Sequence, residues 1–388
     1  MAYTVLARKW RPLGFGDVVG QEHIVDTLRR AIEKDRVAHA YIFTGTRGVG
    51  KTTTARILSR ALNCENGPTP DPCGKCTACA AIVKGSSFDV MEIDGASNNG
   101  VDDIRELRDN IGYSTMQGKY RVIVIDEVHM LSKAAFNALL KTLEEPPQGV
   151  IFILATTDPH KIPATIHSRC QRYDFRRVSA ERLAAHLAKI CEDEKVLFEK
   201  SALMLIARKA EGSVRDSLSL LDQVWSFCGD SLTAEKVREV LGLVGTETYR
   251  KLMEDIREKN QASALESVQK ILLEGYELHE FVTGLQEHIR NLLFARIPGA
   301  LLVRGVDLEP DDEKAYADEA KNFAEPDLLR MADIIKKAEQ ELKYSDNQRF
   351  LIEVMVLKLL HLDTSASIEQ LLKFAAGHSA EDVKKKLS

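Results

Sequence analysis

Apolar positions fall into two regimes along the chain. Between residues 40 and 178, short apolar runs alternate with stretches of helical spacing. Ala40-Tyr41-Ile42-Phe43, Val122-Ile123-Val124-Ile125 and Val150-Ile151-Phe152-Ile153-Leu154 are continuous and rich in β-branched or aromatic residues. Such a run suits a parallel strand covered on both faces, where no alternate side chain has to meet water. Asp89-Val90-Met91-Glu92-Ile93 predicts another strand, and Tyr173-Asp174-Phe175 a last edge strand. Ile24, Leu28 and Ile32 space a helix before them. Strands alternating with helices predict a doubly wound parallel α/β sheet over residues 1–178. From Ser179 the spacing becomes helical, through Leu183, Leu187 and Ile190 and then Leu218, Leu221 and Val224. Beyond Gly242 it stays helical, as at Val268, Ile271 and Leu272, with no strand-like run. We therefore expect a small helical domain over 179–242 and an all-α domain over 243–362. Residues 363–388, ending in Lys384-Lys385-Lys386-Leu387-Ser388, read as a charged tail or the start of a further extension.

Length and charge narrow the class. A chain of 388 residues exceeds what one hydrophobic core serves. Its net charge of −5 argues against a strongly basic nucleic-acid coat, while leaving room for a few local phosphate contacts. Charges interrupt every apolar stretch well before the ~18 residues of a membrane span, and the N-terminal apolar run is too short for a secretory signal. A cytoplasmic protein with no membrane partner is the expectation.

The strongest chemical signal is Gly45-Thr46-Arg47-Gly48-Val49-Gly50-Lys51-Thr52, after a predicted strand and opening a predicted helix. Glycines let successive backbone N–H groups turn toward phosphates without a Cβ in the way. The helix N-terminus adds a favourable dipole. Lys51 is expected to reach the β- and γ-phosphates and the Thr52 hydroxyl to ligate Mg²⁺, with Thr53 completing the phosphate-binding set. Asp126 and Glu127 stand at the C-terminal end of the 122–125 strand, the edge at which open α/β sheets bind ligands. Asp126 is expected to hold Mg²⁺ and Glu127 to orient the attacking water, since phosphoryl transfer rests on positioning and charge neutralisation. Thr157 follows the 150–154 strand, where a hydroxyl can sense a γ-phosphate. Arg169, in Ser168-Arg169-Cys170, is either a finger for phosphate or a surface ion pair. Arg215, in Gly212-Ser213-Val214-Arg215-Asp216, either closes over the phosphates or pairs with a carboxylate.

Cys64, Cys73, Cys76 and Cys79 are spaced C-x8-C-x2-C-x2-C. Thiolates at two-residue gaps in a tight turn can face one tetrahedral ion, and four of them leave no position open for water. Structural zinc is the reading, with an iron–sulfur cluster as its rival. Cys170, Cys191 and Cys228 have no such spacing and read as packing residues.

Taken together, LARKWRPLGFGDVVGQEHI, GTRGVGKTTTARILSRALNC, CGKCTAC, VIVIDEVHMLSKAAFNALLKTLEEPP, LATTDPHKIPATIHSRC and EGSVRDSLSLLDQ resemble the gamma/tau motor subunits of bacterial DNA polymerase III clamp loaders, an AAA+ family. The likeness covers at least residues 3–225. It implies an AAA+ domain with a zinc insert at 64–79, a helical lid over 179–242 and a helical collar over 243–362. It implies an ATPase that works with delta, delta-prime and further gamma/tau copies to open a sliding clamp and load it on primer–template DNA. Arg169 is then the finger acting in trans on a neighbour's ATP, Thr157 is sensor 1 and Arg215 is sensor 2. Ala7, Arg8, Pro12, Val18 and Val19 line the adenine pocket. Polymerase and helicase contacts belong to a longer C-terminal extension in tau forms. The family turns the helix after Asp94 toward DNA, which makes Arg105 a phosphate contact, while Asp102 and Asp103 suit its cap. Other readings remain: a Holliday-junction branch-migration motor, a non-catalytic scaffold subunit, and a zinc-dependent DNA-binding module. The cysteine insert argues against the first and intact Lys51, Thr52, Asp126 and Glu127 against the second. Few basic or aromatic residues flank the cysteines, which argues against the third.

Overall fold

The computed structural model describes residues 4–111, 115, 118–229, 231–297 and 310–362, and the charged stretch 363–388 lies outside them. The chain divides into two compact units, one up to Val237 and one from Arg238 onward.

The first unit is built on five parallel strands: β1 Ala40–Thr44, β2 Val90–Asp94, β3 Arg121–Asp126, β4 Val150–Thr156 and β5 Gln171–Asp174. Their order is β2-β3-β4-β1-β5, so the three uninterrupted apolar runs occupy the centre and the two mixed ones the edges. Alternation along the pleat divides the core. Tyr41, Phe43, Val122, Val124, Ile151 and Ile153 pack on one face with helices Glu22–Glu33 and Lys51–Asn63. Ile42, Ile123, Ile125, Phe152 and Leu154 pack on the other with helices Val101–Ile111 and Lys133–Glu144. Every residue of β4 is buried. At about 25 cal/mol per Å² of apolar area removed from water, these two faces supply the main driving force of this unit.

Helices Ala180–Glu194, Lys200–Lys209 and Val214–Cys228 follow the sheet as a small helical subdomain. It also holds a two-residue parallel pair, Leu197–Phe198 with Ser231–Leu232, which the helical spacing did not predict. Two residues are too few to show a period of two. Gln21 fixes the approach to this subdomain: its fully buried amide donates to Arg176 O at 2.7 Å and accepts from Arg176 N at 3.1 Å.

The second unit is all helical among the described residues: Thr246–Glu258, Gln261–Leu273, Leu278–Ala295, Pro310–Ala320, Glu325–Leu342 and Gln348–Leu360. Phe281, Leu285, Ile289, Ile335, Ile352 and Val356 form its core. A buried polar link crosses that core, with His288 Nδ1 3.0 Å from Tyr316 Oη and Nε2 2.9 Å from Glu319 Oε1. The unit division falls inside helix Ala234–Leu241, a few residues before Gly242.

Candidate nucleotide site and metal centre

β1 delivers the chain into the glycine-rich loop. Gly48 and Gly50 have φ of +79° and +102°, values that a Cβ would strain. Gly50 caps helix Lys51–Asn63, whose first-turn N–H groups point out of the helix end. Lys51 is buried, and its ammonium donates to the carbonyls of Gly45 at 2.7 Å and Thr46 at 2.8 Å. Burial pulls its pKa below the usual lysine value, and the nearby Glu127 and Asp126 carboxylates oppose that fall. The Thr52 hydroxyl donates to Asp126 Oδ2 at 2.7 Å, so loop and strand end meet at the residues expected to share a magnesium ion.

Glu127 leaves β3 in the left-handed region at φ +46°, an uncommon conformation for glutamate that functional sites concentrate. Its Oε2 accepts from Thr157 Oγ1 at 3.0 Å and Thr157 N at 3.3 Å, and lies 3.3 Å from His129 Nδ1. The same His129 nitrogen is 3.1 Å from Thr156 Oγ1. Thr157 thus joins the site through Glu127.

A cavity of about 750 Å³ opens over this edge. Phosphate-loop residues Arg47 to Thr53, together with Asp126, Glu127 and Arg215, line one part of it, and Ala7, Arg8, Pro12, Val18 and Val19 line another. Nucleotide-sized ligands occupy pockets of this scale. Trp10, Arg11, Arg56, Glu92, Asp94 and Leu218 also line it and were not anticipated. Arg11 donates to Thr53 Oγ1 at 3.2 Å, and its pKa is lowered by burial and then by the Arg56 charge. Arg56 makes a two-pronged contact with Glu92 at 2.6 and 2.7 Å. Trp10 and Arg11 sit between Arg8 and Pro12, so contiguity was the signal available in the sequence; Arg56 and Glu92 carry no motif.

The helical subdomain closes the cavity from above. Val214 N and Arg215 N donate to Gly48 O at 3.1 and 3.3 Å. A Cβ on Gly48 would lie 1.9 Å from Ser213 Oγ, so only glycine admits this approach. The N-terminal strap is fastened to the same subdomain. Lys9 Nζ and Trp10 Nε1 reach the Glu194 carboxylate at 2.6 and 2.8 Å, and Leu6 N donates to Asp222 Oδ2 at 3.4 Å.

Arg169 is absent from the cavity lining. It sits after the short helix Ala164–His167 and pairs with Glu144, the last residue of helix Lys133–Glu144, at 2.6 Å. Its Nη1 also donates to Thr165 O at 2.8 Å and Ser168 Oγ at 3.1 Å. Arg105 lies on helix Val101–Ile111 in an exposed pair with Asp102 at 2.9 Å. Asp103 accepts from Gly100 N at 3.0 Å, one half of a capping box.

The four cysteines meet at the far end of the phosphate-loop helix, where Cys64 is its C-cap. All four sulfurs lie within 4.8 Å of one another. Tetrahedral zinc–thiolate bonds require sulfurs about 3.8 Å apart, so the cluster fits a zinc ion with little movement. Backbone N–H groups of Cys73, Cys76 and Cys79 donate to the sulfurs of Cys64, Cys73 and Cys76, each at 3.4 Å. N–H groups of Lys75 and Cys76 lower the Cys73 thiol to about 6, whereas burial raises Cys79 to about 12. Arg29 clamps the insert to helix Glu22–Glu33 through Asp71, with both contacts at 2.9 Å.

Three family models match successive parts of the chain. Residues 20–179 match the family model described as DNA polymerase III, delta subunit, residues 182–230 the DNA polymerase III clamp loader subunit, ATPase lid domain, and residues 232–373 the DNA polymerase III subunits gamma and tau domain III. DNA polymerase III subunit tau of Bacillus subtilis is 44% identical over 92% of this chain and 63% of its own length. The Escherichia coli tau subunit is 39% identical over 93% and 56%. DNA polymerase III subunit gamma of Buchnera aphidicola is 38% identical over 93% of this chain and 99% of its own length. The chain therefore spans a little over half to under two thirds of the tau relatives and nearly all of that gamma subunit. A Thermotoga maritima RuvB Holliday junction branch migration motor aligns at 21% identity with a TM-score of 0.47, covering 64% of this chain and 80% of that one. No helix among the described residues is long and apolar enough to cross a membrane.

Proposed function

This chain belongs to the gamma/tau family of DNA polymerase III subunits, and on that footing we propose that it is an ATP-hydrolysing motor of a clamp loader. The observation that carries this reading is the meeting of Lys51, the Thr52–Asp126 pair and Glu127 at one edge of the cavity. Loop amides and Lys51 hold the phosphates, and Thr52 and Asp126 hold magnesium. Magnesium supplies charge neutralisation when bound. Glu127 orients the attacking water, and Thr157 holds the Glu127 carboxylate by two donors. Arg215 reaches the phosphates from the subdomain over residues 179–242, which serves as the lid. Ala7, Arg8, Pro12, Val18 and Val19 receive the adenine.

Arg169 acts on the nucleotide of a neighbouring subunit; its place outside its own cavity supports that role. The helical unit over 243–362 is the collar that joins copies of this chain to delta and delta-prime subunits. Together they open a sliding clamp and close it on primer–template DNA in the cytoplasm. Arg105 is a DNA-phosphate contact, since an exposed pair such as Arg105–Asp102 holds by only about 0–1 kcal/mol and yields readily to a phosphate. Cys64, Cys73, Cys76 and Cys79 hold a structural zinc ion that fastens the insert. Polymerase and helicase contacts belong to any extension beyond residue 388.

The test is ATP turnover by the chain with clamp, primed DNA and partner subunits, in wild type, Lys51→Ala and Arg169→Ala. Lys51→Ala is expected to abolish nucleotide binding. Arg169→Ala is expected to bind normally and lose stimulated turnover by about 10³-fold or more. Normal stimulated turnover in Arg169→Ala removes the trans-acting finger, and absence of adenine-nucleotide binding by wild type removes the motor.

A further inference from the structure

Among the described residues no carboxylate pairs with Arg60. It lies on the phosphate-loop helix one turn before Cys64 and is 5% exposed. Its Nη1 donates to the Leu13 carbonyl, while its Nε is buried with no acceptor. Among the described residues Arg60 makes no ion pair. Guanidinium does not deprotonate in proteins, so this charge stays inside and needs compensation.

The two acidic side chains of the insert, Glu65 and Asp71, are engaged elsewhere. Asp71 is taken by Arg29, and Glu65 accepts from Thr77 N at 3.2 Å and Thr77 Oγ1 at 2.7 Å. What faces Arg60 is the cysteine turn: a Cβ on Gly74, between Cys73 and Cys76, would lie 3.1 Å from Arg60 Nη2. A divalent ion held by four thiolates carries two net negative charges.

We propose that Arg60 is the counter-charge of the metal centre. Resting on the zinc reading above, the assignment gives the arginine a role beyond packing. It offsets part of the negative charge of the tetrathiolate and joins the cysteine turn to Leu13 of the N-terminal strap. Groups around a metal's ligands commonly set its affinity by about 10- to 100-fold.

The full chain, loaded with zinc, is assayed for metal content by mass spectrometry and for zinc affinity by competition with a chromophoric chelator. Wild type, Arg60→Lys and Arg60→Gln are compared, with circular dichroism as the check on folding. Arg60→Gln, which keeps a hydrogen-bonding amide but loses the charge and some reach, is expected to weaken zinc about 10- to 100-fold. Arg60→Lys is expected to stay close to wild type. Wild-type affinity in Arg60→Gln overturns the proposal, and so does equal loss in both variants, which would mean shape rather than charge. Should Arg60→Gln not fold, Arg60→Lys decides alone: a tenfold loss there overturns the assignment, and retention supports it. A wild-type chain without zinc fails the zinc reading itself and is told apart by metal content.

Discussion

Thr157 gives both of its donors to one oxygen of Glu127, the hydroxyl at 3.0 Å and the backbone N–H at 3.3 Å. Only the first depends on the side chain. Thr157→Val should therefore leave nucleotide affinity near wild type and lower stimulated kcat by about tenfold. Glu127→Gln, which removes the carboxylate itself, should lower kcat by about 10²-fold or more at similar affinity. Titration with a fluorescent ATP analogue beside steady-state turnover separates binding from chemistry. Equal losses of affinity and rate would mean that the pair holds the pocket together and does not serve the reaction.

At Gly48 the chain has no room for a side chain. Gly48→Ala would place a methyl on Ser213 and require φ +79° of an alanine, a conformation that costs about 1 kcal/mol before any clash. Nucleotide affinity should fall at least about tenfold, because the subdomain can no longer seat on the loop. Adding Ser213→Ala should recover part of the loss, since it removes the nearer clash but not the backbone strain. Calorimetric titration of the single and double variants measures both terms.

Zinc removal should be felt along the phosphate-loop helix, because Cys64 ends that helix and Lys51 begins it. Stripping with a strong chelator is expected to cost about 2 kcal/mol or more, a drop in Tm of roughly 4–8 °C for a unit of this size. Cys76→Ser should reproduce most of that loss without chelator. Unchanged melting after complete removal of metal would show the cluster to be indifferent to it.

Glu194 ties the strap to the helical subdomain, and its carboxyl is held below the usual 4.5 chiefly by the Lys9 hydrogen bond and, against opposing burial, by Trp10. A depressed folded value means that this contact stabilises fully above the unfolded pKa and is lost as pH falls through the folded one. The window lies below about pH 4.5. With Trp225→Phe, Trp10 is the one remaining tryptophan of two. Its emission should shift on acidification through that window, and Glu194→Gln should remove the transition.

Much of the first unit was legible because its chemistry is contiguous. β1, β3 and β4 announce themselves as unbroken apolar runs, and the loop from Gly45 to Thr52 needs only glycines, a lysine and a threonine in register. The tetrad of cysteines was likewise visible from spacing. What escaped depends on residues that meet only after folding. Arg56 and Glu92 come from a helix and an edge strand, and nothing in either segment points at the other. Trp10 reaches Glu194 across the whole sheet domain in sequence. The pair Leu197–Phe198 with Ser231–Leu232 was too short to leave a pattern. Arg60 carries no signal in the sequence, because burial of a charge is invisible until the chain folds over it.

Helix Lys133–Glu144 follows β3 and Glu127 by way of the short turn Val128–Met130 and ends at the residue that grips Arg169. Its length, at 1.5 Å per residue, is about 18 Å. Such a rod is stiff, so a swing of roughly 5° about one tip carries the other by about 1.5 Å, half the span of a hydrogen bond. A disturbance at Glu127, passed through the short turn Val128–Met130, would thus arrive at the Arg169 guanidinium as displacement.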